Sequence, residues 1–158
     1  MKREVTYQSL CDKAESYCAM SEHCEQDVRE KLFAWGCTNP EWRDGIIEHL
    51  VDASFIDHRR YCRAFVHDKL LYQGWGREKM RMMLSLKRIE RSLIDEATDT
   101  IDDEQYLEVA ERVARNRLVG FKTDESGRQK LMRYMLQRGF EYEVIKTVVS
   151  RLLDDGVE

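Results

Sequence analysis

The chain has 158 residues and a formal net charge of −4, and its composition is 42% hydrophobic and 35% charged. It contains no run of about 18 apolar residues, which excludes a protein with membrane-spanning helices. Met1-Lys2-Arg3-Glu4 lacks the apolar stretch of a secretory signal. We therefore expect one domain over residues 1–158, located in the cytoplasm. The low counts of glycine (8) and proline (1) favour helices over strands.

An apolar pattern recurs three times along the chain, at intervals of about 51 residues. In segment 22–35, Val28 and Leu32 lie one helical turn apart, and Gly36 follows four residues later. The same places hold Met80, Leu84 and Arg88 in segment 77–88, and Leu131, Met135 and Gly139 in segment 128–139. Each segment is predicted to be an amphipathic helix, because this spacing places apolar residues on one helical face.

Each of these helices is preceded and followed by another helix with matching apolar positions. The preceding helices share the pairs Cys11/Ala14, Tyr61/Ala64 and Leu107/Ala110, and the following ones share Ile46/Ile47/Leu50, Leu93/Ile94/Ala97 and Val144/Ile145/Val148. The pattern predicts an all-α fold of about nine helices in three tandem, helix-turn-helix-like repeats. The repeats span approximately 7–55, 56–101 and 102–155, and we expect them to form an elongated or curved stack.

Residues that favour helix ends support this division. Ser21, Asn39, Asp57 and Asp103 are predicted N-caps, and Pro40 suits the first position of a helix. Gly36 and Gly139 suit the left-handed conformation that closes a helix.

The five cysteines form no CxxC pair. Without an export signal they are interpreted as reduced thiols that are mostly buried. The spacing of Cys18, His23 and Cys24 matches no common zinc-ligand pattern, so no metal site is predicted. The cysteines are Cys11, Cys18, Cys24, Cys37 and Cys62.

Charge is unevenly distributed along the chain. Residues 59–94 hold ten basic and three acidic side chains, whereas the flanking segments are both acidic. A basic middle segment is a candidate contact for a polyanion, although charged faces are also what helices ordinarily present to water. Arg77, Arg81 and Arg88 would share one face if their helix extends to residue 88. The candidate binding residues are Arg59, Arg60, Arg63, Arg77, Lys79, Arg81, Lys87, Arg88, Arg91, Arg133 and Arg138.

Motifs of catalysis and cofactor binding are missing from the sequence. It contains neither a GxxxxGKS/T phosphate loop nor GxGxxG, GxSxG or HExxH. We therefore expect no catalytic residues, no cofactor and no enzymatic activity.

Two stretches carry a family resemblance. The first runs from Phe55-Ile56-Asp57 through Arg60-Tyr61-Cys62-Arg63-Ala64-Phe65 to Gly74-Trp75-Gly76 and Lys79-Met80-Arg81. The second is Leu131–Phe140, which ends in Arg138-Gly139-Phe140. In this order and spacing they resemble the RecX family over essentially the whole chain. His58, where an acidic residue is common, and Arg88-Ile89, where a glycine turn is common, depart from the family pattern.

The resemblance implies a non-catalytic, monomeric protein that binds RecA and its filaments on single-stranded DNA. Such a protein restrains strand exchange, ATP hydrolysis and co-protease activity in DNA repair and the SOS response, and weak direct DNA binding is possible. Asp57, Gly74, Trp75, Gly76, Gly139 and Phe140 are expected to be structural. Trp75 is interpreted as a buried anchor, with an exposed interface residue as the alternative.

Two other functions remain open on the residues alone. A stand-alone helix-turn-helix DNA-binding protein would bind duplex DNA tightly without RecA. A helical scaffold for another protein would fit the repeats equally well. The net acidity and the lack of an obvious recognition helix weigh mildly against the DNA-binding alternative.

Overall fold

The computed structural model describes residues 4–120 and 124–154, and these residues form nine α-helices and no strand. None of the described helices is both long and apolar enough to cross a bilayer. The helices are α1 (Tyr7–Met20), α2 (Glu25–Ala34), α3 (Pro40–Asp52), α4 (His58–Leu71), α5 (Arg77–Leu86), α6 (Arg91–Asp99), α7 (Asp103–Leu118), α8 (Glu125–Gln137) and α9 (Tyr142–Leu153). The predicted all-α fold of three three-helix units is confirmed. The predicted end of the third repeat at residue 155 lies outside the described residues.

Two of the four predicted N-caps, Asn39 and Asp57, lie at the expected residue. Asn39 accepts hydrogen bonds from Glu41 N and Trp42 N at the start of α3, and Asp57 accepts one from Arg60 N at the start of α4. These side chains satisfy backbone N–H groups that have no partner inside the helix.

Two of the predicted caps are wrong. Ser21 follows the last residue of α1. The N-cap of α2 is Cys24, whose backbone N–H donates a hydrogen bond to Asp27. Asp102, one residue before the predicted Asp103, caps α7 by accepting from Gln105 N. Both errors arise where several polar residues precede a helix and the apolar spacing does not distinguish among them.

The apolar core has two parts. Helices α1–α3 enclose the first, and α4–α9 share the second. The prediction of mostly buried thiols is confirmed, because all five cysteines are free and buried. Cys24, although it belongs to the first repeat, packs into the second core. The first repeat is therefore packed largely on itself, whereas the second and third share one apolar interior.

Polar contacts join the first repeat to the second. Lys87 Nζ lies 2.6 Å from Asp27 Oδ1, and Arg60 pairs with Glu22. His58 Nε2 accepts a hydrogen bond of 3.1 Å from the backbone N–H of Glu25. The histidine thus satisfies an otherwise unpaired N–H in the first turn of α2.

The second and third repeats meet where their glycine-containing turns cross. Gly76 N donates to Arg138 O (2.8 Å), and Glu78 N donates to Gly139 O (3.0 Å). A Cβ at Gly76 would lie 2.3 Å from the carbonyl carbon of Gly139, so only glycine allows this approach. Phe140 is buried in the shared core. The Gly-Trp-Gly and Arg-Gly-Phe motifs are therefore the two sides of one contact.

A buried tyrosine joins the same two repeats. Tyr106 Oη donates to Glu141 Oε1 (2.6 Å) and accepts from the backbone N–H of Arg77 (3.0 Å). Burial and the hydrogen bond to Glu141 raise the pKa of Tyr106, so it stays a neutral donor at physiological pH.

Two residues after the second helix of each repeat ends, the chain has a residue with positive φ. Gly36 and Gly139 have φ of 91° and 95°, which confirms the predicted left-handed closures. Arg88, at the equivalent place in the second repeat, has φ of 61°. A side chain in this region costs about 1–2 kcal/mol, which glycine avoids.

Replacing Arg88 by glycine should therefore raise the free energy of unfolding by about 1 kcal/mol, after allowing for the greater freedom of the unfolded chain. Urea denaturation at neutral pH measures the change. The exposed Ser85 lies inside α5, where the Ser85→Gly control should lose about 0.5 kcal/mol. A loss of stability in Arg88→Gly would contradict the strain at this position.

Candidate polyanion-binding surface

The basic residues of α4 that the sequence nominates are engaged by carboxylates. Arg59 Nε lies 2.9 Å from Glu96 Oε2 on α6, and Arg63 lies 3.9 Å from the same carboxylate. Arg60 pairs with Glu22 of the first repeat. These contacts offset much of the positive charge that the sequence assigns to this helix.

The two arginines of α5 are also paired. Arg77 lies 3.0 Å from Asp103 and 3.3 Å from Glu141, and its guanidinium stacks on the ring of Tyr106. Arg81 lies 2.9 Å from Glu78. Arg77 therefore joins the second repeat to the third, and its side chain is only 16% exposed.

The end of α5 separates Arg88 from the other two. The helix ends at Leu86, so the expected common face of Arg77, Arg81 and Arg88 does not form. Arg88 is exposed on the turn that follows. Arg91 lies 3.7 Å from Asp95, and Lys87 pairs with Asp27.

A groove beside these residues lies between α5 and α6 and has a volume of about 780 Å³. Two arginines line it, Arg81 and Arg91, but so do three carboxylates. This mixed charge makes the groove a poor place for a polyanion. The carboxylates are Glu78, Asp95 and Asp99.

Trp75 is half-buried. Its ring meets Phe65 edge to face, and the ammonium groups of Lys69 and Lys79 lie 4.7 and 4.4 Å from its ring centroid. Trp75 is thus less buried than the anchor that the sequence predicts, and its ring holds Lys79 in place through a cation–π interaction.

Of the nominated residues, four form no ion pair within the described part of the chain: Lys79, Arg88, Arg133 and Arg138. Of these four, Arg138 lines a pocket. Its guanidinium donates to the carbonyl oxygen of Gln73, at the end of the second repeat's first helix.

The site around Arg138 is a pocket of about 400 Å³ between the turn after α4 and the helices α7 and α8. Two more arginines line it, Arg112 and Arg117, and none of the lining residues in the described part of the chain is acidic. We call it the arginine pocket. Its lining residues are Tyr72, Gln73, Gly74, Arg112, Val113, Asn116, Arg117, Tyr134 and Arg138.

Neutral groups are among the contacts of the three arginines of this pocket. Arg112 donates to the carbonyl oxygen of Leu71 (3.1 Å), and the guanidiniums of Arg117 and Arg138 lie 4.9 and 5.9 Å from the ring centroid of Tyr134. Carbonyl and ring contacts orient a guanidinium without cancelling its full charge. Tyr72 lies at the rim and is 76% exposed.

This arrangement is suited to phosphate groups. Guanidiniums bind phosphate oxygens through paired N–H donors, and an exposed aromatic ring can stack on an unpaired base. The sequence nominated only Arg138 of the three arginines. The other two were missed because they lie neither in the basic segment 59–94 nor in the motif that contains Arg138.

Comparison with known proteins agrees with the fold. A sequence model described as "RecX, second three-helix domain" matches residues 57–97, and one described as "RecX, third three-helix domain" matches residues 103–149. Together they cover more than half of the chain. The chain belongs to the RecX family.

Curated RecX proteins extend the match. A "Regulatory protein RecX" of Clostridium botulinum is 31% identical over 134 residues, which cover 82% of this chain and 62% of that protein. Another of Vibrio vulnificus is 24% identical and covers 90% of this chain and 92% of that protein. The chain thus spans less than two thirds of the length of the clostridial relative.

A solved RecX structure shares the architecture. The crystal structure of RecX from Lactobacillus salivarius superposes with a TM-score of 0.76 at 21% sequence identity, covering 92% of this chain and 96% of that one. Three-helix units stacked in this order are therefore the RecX fold.

Proposed function

We propose that this RecX-family protein binds RecA and its filaments on single-stranded DNA in the cytoplasm and restrains the recombinase without catalysing a reaction. Family membership supports the regulatory role. The setting would be recombinational repair and the SOS response, with the protein acting as a monomer and with no cofactor taking part in the restraint of RecA.

The arginine pocket is the observation in the structure that supports contact with a nucleoprotein filament. Its described lining residues include three arginines and no acid, whereas most nominated residues of the second repeat are paired with acids. Phosphates of the filament's DNA would occupy the pocket, and binding would weaken as salt releases the electrostatic contact. Occupying the filament in this way would restrain RecA without chemistry.

The DNA-stimulated ATPase of RecA tests the proposal. Adding the protein should inhibit ATP hydrolysis, and the double variant Arg112→Glu/Arg117→Glu should require about tenfold more protein for the same inhibition. Arg138 is left unchanged in this variant, because it lies at the contact between repeats.

A second double variant controls for net charge. Arg115 on α7 and Lys130 on α8 are exposed and lie outside the pocket, so Arg115→Glu/Lys130→Glu makes the same change of charge elsewhere. It should shift inhibition by less than about twofold. Equal effects of both variants would contradict a role for the pocket, and no inhibition by the unaltered protein at any ratio would contradict the RecA proposal.

The alternative is a stand-alone DNA-binding protein. It predicts that the protein shifts duplex DNA in a gel without RecA and leaves the ATPase unchanged. The three-helix units favour this alternative by their likeness to helix-turn-helix modules. The same ATPase and gel-shift measurements therefore separate the two functions.

A further inference from the structure

A histidine, a cysteine and a glutamate converge on one face of the first repeat. Cys11 and Glu15 lie one turn apart on α1, so their side chains leave the same side of that helix. His49 approaches them from α3. The thiol sulfur, a carboxylate oxygen and an imidazole nitrogen all lie within 4.8 Å of one another.

These distances are close to those of a tetrahedral zinc site. Zinc binds thiolate sulfur at about 2.3 Å and imidazole nitrogen or carboxylate oxygen at about 2.0 Å, which places the ligand atoms roughly 3.3–3.6 Å apart. The ligand atoms therefore need only small side-chain movements. His49 Nε2 and Glu15 Oε1 already lie 2.7 Å apart in a hydrogen bond that the metal would replace.

We propose that Cys11, Glu15 and His49 bind one zinc ion, with the fourth position open to water or to an outside ligand. Sulfur, nitrogen and oxygen ligands suit zinc, whereas magnesium and calcium prefer oxygen alone. Cys11 is buried and both other ligands are partly exposed, so an ion can enter from the side of Glu15 and His49.

The carboxylates of Glu15 and Asp12 attract a cation. Burial, and then these carboxylates, also raise the pKa of the Cys11 thiol, so the ion has to displace the thiol proton. Binding forms the Zn–S bond and releases the thiol proton to solvent, so affinity rises with pH.

The proposed zinc site is not the group of Cys18, His23 and Cys24 that the sequence analysis considered. His23 stacks on Tyr17 and bonds to Ser21, and Cys24 is packed into the other apolar core. The proposed metal would instead tie α1 to α3 inside the repeat that has its own core.

Cobalt(II) serves as the probe, because it binds zinc sites and absorbs light when a thiolate is its ligand. Titrating the reduced full chain at neutral pH should produce a sulfur-to-cobalt charge-transfer band at one ion per chain, and zinc should remove it by displacement. Cys11→Ser should abolish the band, and His49→Gln should weaken cobalt binding roughly tenfold or more. Cys37→Ser is the control, since this buried thiol belongs to the same core and lies outside the triad.

Circular dichroism checks that each variant is folded. If Cys11→Ser does not fold, the exposed His49→Gln variant still decides the question. A missing band in the unaltered protein, or a band that both Cys11→Ser and His49→Gln retain, would overturn the proposal. Neither result bears on RecA inhibition, which is measured separately.

Discussion

Replacing Gly139 by alanine should lower the free energy of unfolding by about 3–5 kcal/mol, because backbone strain and overpacking act together. Gly139 has φ of 95°, a conformation that side chains rarely adopt. Its added Cβ would lie 2.4 Å from Lys79 Cβ and 2.5 Å from Lys79 N. The nitrogen belongs to the backbone of α5, so a rotamer change cannot relieve the contact.

Urea denaturation followed by circular dichroism measures this loss. Gly120 is the matched control, because an added Cβ there meets no atom of the described residues within 4 Å. Gly120→Ala should stay within about 0.5 kcal/mol of the unaltered protein. If the two variants were equally stable, the close contact between α5 and the turn after α8 would be wrong.

The position of Gly139 explains why the motifs could be recognised but their meeting could not. Gly74-Trp75-Gly76 and Arg138-Gly139-Phe140 are about 60 residues apart, and each is a local turn signal. Only the stacking of the second repeat on the third brings Gly76 N to Arg138 O. Periodicity is local and therefore predicted the helices, whereas contacts between repeats depend on how the helices stack.

Which charges are paired was the least predictable property, because ion pairs between repeats also depend on how the helices stack. The sum over residues 59–94 treats Arg60 and Arg77 as available cations, but their acidic partners are Glu22 and Glu141, which lie in other repeats. Conversely, the segment after residue 94 has a net negative charge, but two of its arginines, Arg112 and Arg117, line the arginine pocket. Net charge along the sequence therefore indicates which ions a chain contains but does not indicate which of them are paired.

Residue-level resemblance supplied what periodicity could not. Repeated helices are compatible with many functions, and the family became evident only from particular residues such as Asp57 and Phe140. The structure then gave these residues physical roles: Asp57 begins α4, and Phe140 fills the core shared by two repeats. Arg112 and Arg117 of the arginine pocket had no such signal, because neither lies in one of these motifs.

The second large loss of stability is expected at the contact between the first two repeats. Replacing Asp27 by asparagine should lower the free energy of unfolding by about 2 kcal/mol at neutral pH, since it removes a charge-assisted hydrogen bond in a mostly buried place. Asp27 is 13% exposed and accepts from both Lys87 Nζ and Cys24 N. Thermal or urea unfolding at pH 7 measures the loss. The exposed Asp44, which pairs with Arg29, provides the control Asp44→Asn, with an expected loss below about 1 kcal/mol.

The pH dependence of this loss separates the ion pair from a packing defect. Burial alone would raise the pKa of Asp27, but the Lys87 ammonium and the Cys24 backbone N–H outweigh it and hold the pKa below its usual value. A lowered pKa contributes stability above the unfolded-state value, near pH 4, and this stability is lost as pH falls through the folded-state pKa. The difference between the unaltered protein and Asp27→Asn should therefore be full at pH 6–7 and shrink steadily below about pH 4. A difference that stays constant down to the acid range would mean that shape, and not charge, holds the first repeat to the second.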